Sequence, residues 1–205
     1  MDYQYFFHRI LGHYPYPYQQ TLAQQKWPSL LTIPTGMGKS AAVILSWLYQ
    51  RWLRNPQTSK RLVYCLPMRV LVNQTYQNTI SWLEKAGTIF AEKGVTLPSV
   101  HLLMGGEIDE IWQQYPEKPV IIIGTQDQLL SRALNRGYAM SRYRWPMHFG
   151  LVNNDTQWVF DEVQLMGVGV ETSAQLQAMR DKFGTLGETA SLWMSATLDP
   201  KRITT

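Results

Sequence analysis

The sequence predicts an α/β protein, a parallel β-sheet with helices on both faces. Three observations carry this. Six short apolar runs, Leu30–Ile33, Leu62–Leu66, Val100–Leu103, Val120–Ile123, Gln157–Phe160 and Ser191–Met194, recur along the chain with longer polar or amphipathic stretches between most of them. The runs are apolar almost throughout and often β-branched, as expected of strands covered on both faces. Nearly every run ends in a polar or glycine-bearing string, and in such sheets ligands bind beyond the carboxyl ends of the strands. With 205 residues, 45% of them hydrophobic, one sizeable core and one domain are expected.

Residues 1–29 are aromatic and polar. Tyr14-Pro15-Tyr16-Pro17-Tyr18 forces an extended approach, because a residue before proline avoids the helical region. Gln19 and Gln20 begin a short helix that closes near Trp27-Pro28. The first strand passes through Pro34-Thr35-Gly36-Met37-Gly38-Lys39-Ser40 into a helix carrying Ala41, Ile44, Leu45, Leu48 and Trp52 on one face. Asn55 to Ser59 makes a loop. The second strand turns at Pro67-Met68-Arg69 into a helix from about Val70 to Lys85, with Val70, Leu71, Ile80 and Leu83 as its apolar stripe. The third strand ends at Gly105-Gly106. The fourth runs into Gly124-Thr125-Gln126-Asp127 and a helix through about Leu134. The fifth delivers Asp161-Glu162-Val163-Gln164, and the sixth Ser195-Ala196-Thr197.

A strand, a glycine turn and a helix N-terminus together make a phosphate cradle. Gly36 and Gly38 let the backbone approach an anion, toward which the free N–H groups of the first helical turn point. Lys39 would reach the β- and γ-phosphates of a nucleotide such as ATP, and the Ser40 hydroxyl would hold Mg²⁺. Asp161, at a strand end beside that loop, could bind Mg²⁺ through water, while Glu162 orients or deprotonates the attacking water. Gln164 would sit near the γ-phosphate and report its loss. Ser195 and Thr197 supply hydroxyls that would link hydrolysis to movement. Arg69, Gly105, Gly106, Thr125 and Gln126 sit where N–H groups and hydroxyls can meet sugar-phosphate oxygens, although a plain turn at the glycines and a solvated helix start at Arg69 fit equally. Between Ser131 and Trp145, Arg132, Arg136, Arg142 and Arg144 alternate with Tyr138, Tyr143 and Trp145. That composition suits a single nucleic-acid strand, and equally a basic loop with aromatics packed on the domain.

The bulk numbers narrow the class. A net charge of +4 and a pI near 9.2 are compatible with an anionic partner without requiring one. Cys65 lies within an apolar run, so a core thiol is expected. No stretch approaches membrane-spanning length and no secretory leader is visible, so a soluble, cytoplasmic protein is expected. His8, His13, His101 and His148 show no metal-ligand spacing, and His101 is expected in the core.

In order, these motifs resemble those of the first RecA-like domain of a superfamily 2 helicase, a P-loop NTPase fold. The loop departs from the strict G-x-x-x-x-G-K-[ST] form, with Ile33 where glycine would stand, and matches the helicase form instead. Gln19, about twenty residues before Lys39, resembles the helicase glutamine whose amide matches N6 and N7 of adenine; a surface glutamine remains the alternative. Longer strings, 66–74, 124–134 and 158–166, resemble the CRISPR-associated helicase of type I systems. That resemblance implies an ATP-driven translocase on single-stranded DNA, recruited by a surveillance complex. No histidine-aspartate dipeptide occurs, so nuclease activity is not implied. The expected organisation is an N-terminal segment over 1–29, a RecA-like domain over 30–200, and the start of a linker at 201–205. The second RecA-like domain, with its arginine finger, would then be missing. A different DNA or RNA helicase fragment, or a nucleotide-binding module inactive alone, stay open as alternatives.

Overall fold

The computed structural model describes residues 1–105, 107–108, 111–138 and 140–197. Its centre is a sheet of seven strands: β1 (Leu30–Thr32), β2 (Arg61–Leu66), β3 (Ser99–Met104), β4 (Glu107–Ile108), β5 (Val120–Thr125), β6 (Thr156–Phe160) and β7 (Thr189–Ser195). Their order across the sheet is β1-β7-β6-β2-β5-β3-β4. All pairings are parallel except β3 with β4, an antiparallel hairpin at one edge that the sequence did not foretell. The six expected strands are all present.

Because strand side chains alternate between faces, the sheet builds two separate cores. On one face Leu62, Tyr64 and Leu66 of β2 join Ile121, Ile123, Val159, Leu192 and Met194. That face is covered by α1 (Tyr3–Leu11), α2 (Pro17–Gln24), α3 (Lys39–Tyr49) and α4 (Arg69–Ala91). The other face carries Val63, Cys65, Ile122, Trp158, Phe160 and Trp193. It lies beneath α5 (Gln126–Ala133), α6 (Trp145–Asn153) and α7 (Gly169–Phe183). Cys65 is fully buried there, as expected, and burial pushes its thiol well above the ordinary range.

One helix was not expected, and one helical expectation needs correction. The aromatic amino terminus begins with a helix, α1, whose Tyr3, Phe6, Phe7 and Ile10 enter the first core beside Trp47 and Phe90. Burying such side chains contributes about 1.5–3 kcal/mol each, so α1 is part of the core; the extended approach expected from Tyr14 comes after it, with Tyr16 extended just before α2 begins at Pro17. In α4 the buried stripe is Val72, Thr75, Thr79, Leu83, Ala86 and Phe90, and Val70 stands 72% exposed. The stripe read from the sequence is therefore offset from the buried one. The threonines on the buried face hide it from a count of apolar residues.

Candidate nucleotide site

The glycine loop joins β1 to α3. Gly36 and Gly38 have φ of 80° and 72°, a left-handed backbone that side chains with a Cβ rarely adopt. Gly38 caps α3, so the free N–H groups of an eleven-residue helix open onto the loop. Pro34, Thr35 and Gly36 are exposed, and Met37 is half-buried. Two residues of α2 hold the loop from behind. The hydroxyl of Tyr18 donates to Met37 O, and the Gln19 amide Nε2 donates to Gly38 O at 3.2 Å and Met37 O at 3.4 Å. Gln19 Oε1 accepts from Tyr16 N–H at 2.9 Å, which fixes the amide's orientation. Gly38 is also needed for space, since a Cβ there would lie 3.0 Å from Gln19 Nε2.

Lys39 is 7% exposed, and its Nζ lies 3.0 Å from Glu162 Oε1. From Glu162 a chain of contacts leads onward. Gln164 Nε2 donates to Glu162 Oε2 at 2.5 Å, Ser195 Oγ donates to Gln164 Oε1 at 2.6 Å, and Thr197 N–H donates to Ser195 Oγ at 3.0 Å. The start of α3 and the chain ends of β6 and β7 are thus joined by side chains that all carry expected roles. Glu162 itself has φ of 55°, an uncommon backbone for a residue with a side chain.

Asp161 is 4% exposed. Its N–H continues the ladder to Cys65 O at 3.0 Å. Oδ1 accepts from Glu162 N–H at 2.9 Å, and Oδ2 accepts from the Tyr64 hydroxyl at 2.7 Å. Burial raises the carboxyl's pKa, while the Tyr64 hydrogen bond, the charge of Lys39 and the Glu162 N–H pull it down. Among the described residues no group of three or more His, Cys, Asp or Glu could hold a metal ion. Tyr64 was not foreseen from the sequence, because a lone tyrosine in an apolar strand carries no motif.

The residues expected on nucleic acid divide. Arg69 is exposed and touches Gly105: a Cβ on Gly105 would fall 2.6 Å from Arg69 Nη2. Gly106 lies outside the described residues. Thr125 is 4% exposed with its hydroxyl unpartnered, and Gln126 Oε1 is buried against Gly169, also unpartnered. The basic segment requires a correction at Arg132, which is fully buried and donates from Nη1 to Gln128 O and Oε1, both at 2.7 Å. It belongs to the core of α5, not to a strand-binding surface. Arg142, Tyr143 and Arg144 form an exposed 3-10 turn with Tyr143 90% exposed, whereas Trp145 is half-buried beneath the Arg136 guanidinium. His101 is buried and hydrogen-bonds Ser99 Oγ at 2.8 Å, as expected of a core histidine.

Comparisons with known proteins bear on the fold and the family. Among curated proteins no sequence relative matches. Several solved structures share the fold. Helicase Lhr of Mycobacterium smegmatis, bound to ssDNA and AMP-PNP, is 20% identical with a TM-score of 0.68, covering 98% of this chain and 25% of its own. The DUF1998 helicase MrfA, bound to DNA and AMPPNP, is 16% identical with a TM-score of 0.66, covering 95% and 26%. Dbp5 of S. cerevisiae, bound to RNA and ADP BeF3, is 17% identical with a TM-score of 0.60, covering 98% and 45%. At these identities the likeness shows the RecA-like fold, and the chain spans between a quarter and a half of each relative's length. The DEAD/DEAH box helicase model matches residues 17–205, most of the chain, and the chain belongs to the DEAD/DEAH box helicase family.

Proposed function

We propose that this chain is the ATP- and Mg²⁺-binding half of a nucleic-acid helicase or translocase. The observation that carries it is the unbroken side-chain path from Lys39 through Glu162 and Gln164 to Ser195. A triphosphate arriving at Lys39 would compete for the ammonium and release Glu162 toward water, and Gln164 would pass the change to Ser195 and Thr197. Gly36, Gly38 and the α3 N-terminus would cradle the phosphates, with Pro34, Thr35 and Met37 shaping the loop. Ser40 and Asp161 would hold Mg²⁺, whose part is to neutralise phosphate charge. Gln19 would face adenine while keeping its hold on the loop. Titration of a fluorescent ATP analogue with Mg²⁺ tests this; absence of binding overturns it.

The substrate strand would be single-stranded DNA. Arg69 beside Gly105 supports a phosphate-holding point at the carboxyl ends of the strands. The strings at 66–74, 124–134 and 158–166 support the CRISPR-associated helicase of type I systems, with a surveillance complex as recruiter and a second RecA-like domain as working partner. The RNA bound to Dbp5, a structure with the same fold, supports an RNA helicase as the second reading. Competition between DNA and RNA oligonucleotides of one sequence separates the two. No helix among the described residues is long and apolar enough to cross a membrane. The place of action in this reading is the cytoplasm, where ATP and Mg²⁺ are supplied.

A further inference from the structure

We propose that Tyr64 is a positioning residue for the metal-bearing side of this site, holding Asp161 in the arrangement that Mg²⁺ requires. The inference rests on the nucleotide-binding role proposed above and adds a residue that no motif marks.

The geometry begins with register. Tyr64 of β2 pairs with Val159 of β6. Two residues on from Val159, Asp161 returns to the same face of the sheet. Tyr64 therefore points toward the end of β6, on the face that α3 covers. Its ring is fully buried. The phenol O–H donates to Asp161 Oδ2 at 2.7 Å. One hydroxyl on β2 thus holds a proposed metal donor that follows a different strand, β6.

A carboxylate that binds a cation through one oxygen needs its other contacts fixed, or its orientation drifts. In Asp161 the Glu162 N–H engages Oδ1 and Tyr64 engages Oδ2, leaving one further lone pair on each oxygen. The backbone is pinned to the same strand by the bond to Cys65 O. Removing the phenol O–H would free the carboxylate to rotate while leaving its backbone in place.

A packing role alone is the competing explanation, and the molecule offers its own control. Tyr3 is also fully buried in the same core, and its hydroxyl meets Ser46 Oγ at 3.2 Å. Tyr3→Phe removes a buried phenol hydrogen bond that touches no proposed metal donor.

The test is the ratio of ATP affinity with Mg²⁺ to ATP affinity in EDTA, measured on the whole chain. Tyr64→Phe should lower that ratio roughly 10-fold and leave the EDTA affinity unchanged, whereas Tyr3→Phe should keep the wild-type ratio. An unchanged ratio in Tyr64→Phe, or an equal fall in both variants, overturns the inference and leaves nucleotide binding intact. A wild-type protein that binds ATP equally well with and without Mg²⁺ overturns it too. No ATP binding in the wild type at all would take down the parent proposal with it. Should Tyr64→Phe fail to fold, 3-fluorotyrosine placed at 64 keeps the phenol. Its ¹⁹F resonance should move when Mg²⁺ joins the ATP-bound protein, and a resonance that stays put counts against the role.

Discussion

Lys39 and Glu162 come from opposite ends of the chain and meet as a largely buried ion pair, Nζ to Oε1 at 3.0 Å. The pair keeps each charge from being buried alone, and breaking such a pair costs more than it contributes when intact. Lys39→Met and Glu162→Gln should each destabilise the fold by about 1–2 kcal/mol, and the double variant should lose less than their sum. Urea unfolding of the four proteins measures this. Strict additivity would mean that the two charges do not sense each other.

The same lysine is expected to bind triphosphate. Lys39→Ala should weaken ATP binding by about 1.5–3 kcal/mol, the range for a hydrogen bond to a charged group. Equal affinities of wild type and variant for a fluorescent ATP analogue would take Lys39 out of the site.

His148 gives the fold an acid limit. Its Nε2 donates to Gln113 Oε1, and its Nδ1 is buried without a partner. Burial, with the nearby charges of Arg132 and Arg144, pushes its pKa down from 6.5 to about 4. The unfolded chain takes up a proton as pH falls below the ordinary value, whereas the folded protein resists until about 4. The contribution is therefore complete above pH 6.5 and fades progressively down to about 4. It should amount to roughly 2 kcal/mol once solvent screening is allowed for. Melting temperatures of wild type and His148→Gln across that window should converge as pH falls. Parallel curves would show that the imidazole does not titrate with folding.

The six parallel strands, and the place of the glycine loop, Asp161-Glu162 and Ser195 at or beyond strand ends, were legible because buried strands and glycine turns are written in local strings. What escaped was written in the wrong alphabet or hidden by a louder neighbour. In α1, Tyr3, Phe6, Phe7 and Ile10 fall at i, i+3, i+4 and i+7, a helical face plain in the sequence. The Tyr-Pro alternation at 14–18 is the louder signal beside it. In α7 the buried face is Gly169, Ser173, Leu176 and Arg180, which no apolar count detects. Arg132 and Arg142 look alike in sequence, but helix α5 turns Arg132 into the core and the turn after Ser141 leaves Arg142 in solvent. Only the packing separates them.

Catalysis should depend on more than this chain. An arginine supplied across the cleft is worth roughly 10³–10⁵ in phosphoryl-transfer rate, and the proposed source is a second RecA-like domain. The 205-residue chain should therefore bind ATP but turn it over negligibly, with or without single-stranded DNA. A phosphate-release assay on the pure monomer checks this. Robust DNA-stimulated turnover that Glu162→Gln abolishes would show that the chain supplies or recruits its own arginine.

The exposed turn at Arg142, Tyr143 and Arg144 is a part of the basic segment that can still meet a nucleic-acid strand, as are the exposed Arg136 and Tyr138. Arg132 is not, because its guanidinium is spent inside α5. Neutralising phosphates releases counterions, so binding through this turn should be weak, indifferent to sequence and steeply salt-dependent. Arg142→Ala with Arg144→Ala should lower affinity equally for every sequence and flatten the salt slope by about one unit for each phosphate no longer neutralised. Tyr143→Ala should weaken binding by about 1–3 kcal/mol if a base stacks on its ring, with the slope unchanged. Arg132→Ala should behave differently, lowering the melting temperature because a buried hydrogen-bonded group is removed. Anisotropy of a labelled oligonucleotide over a salt series reads the first two effects, and thermal unfolding reads the third. A double variant with the wild-type slope would take this turn off the strand's path and leave Arg69 and Gly105 to carry it.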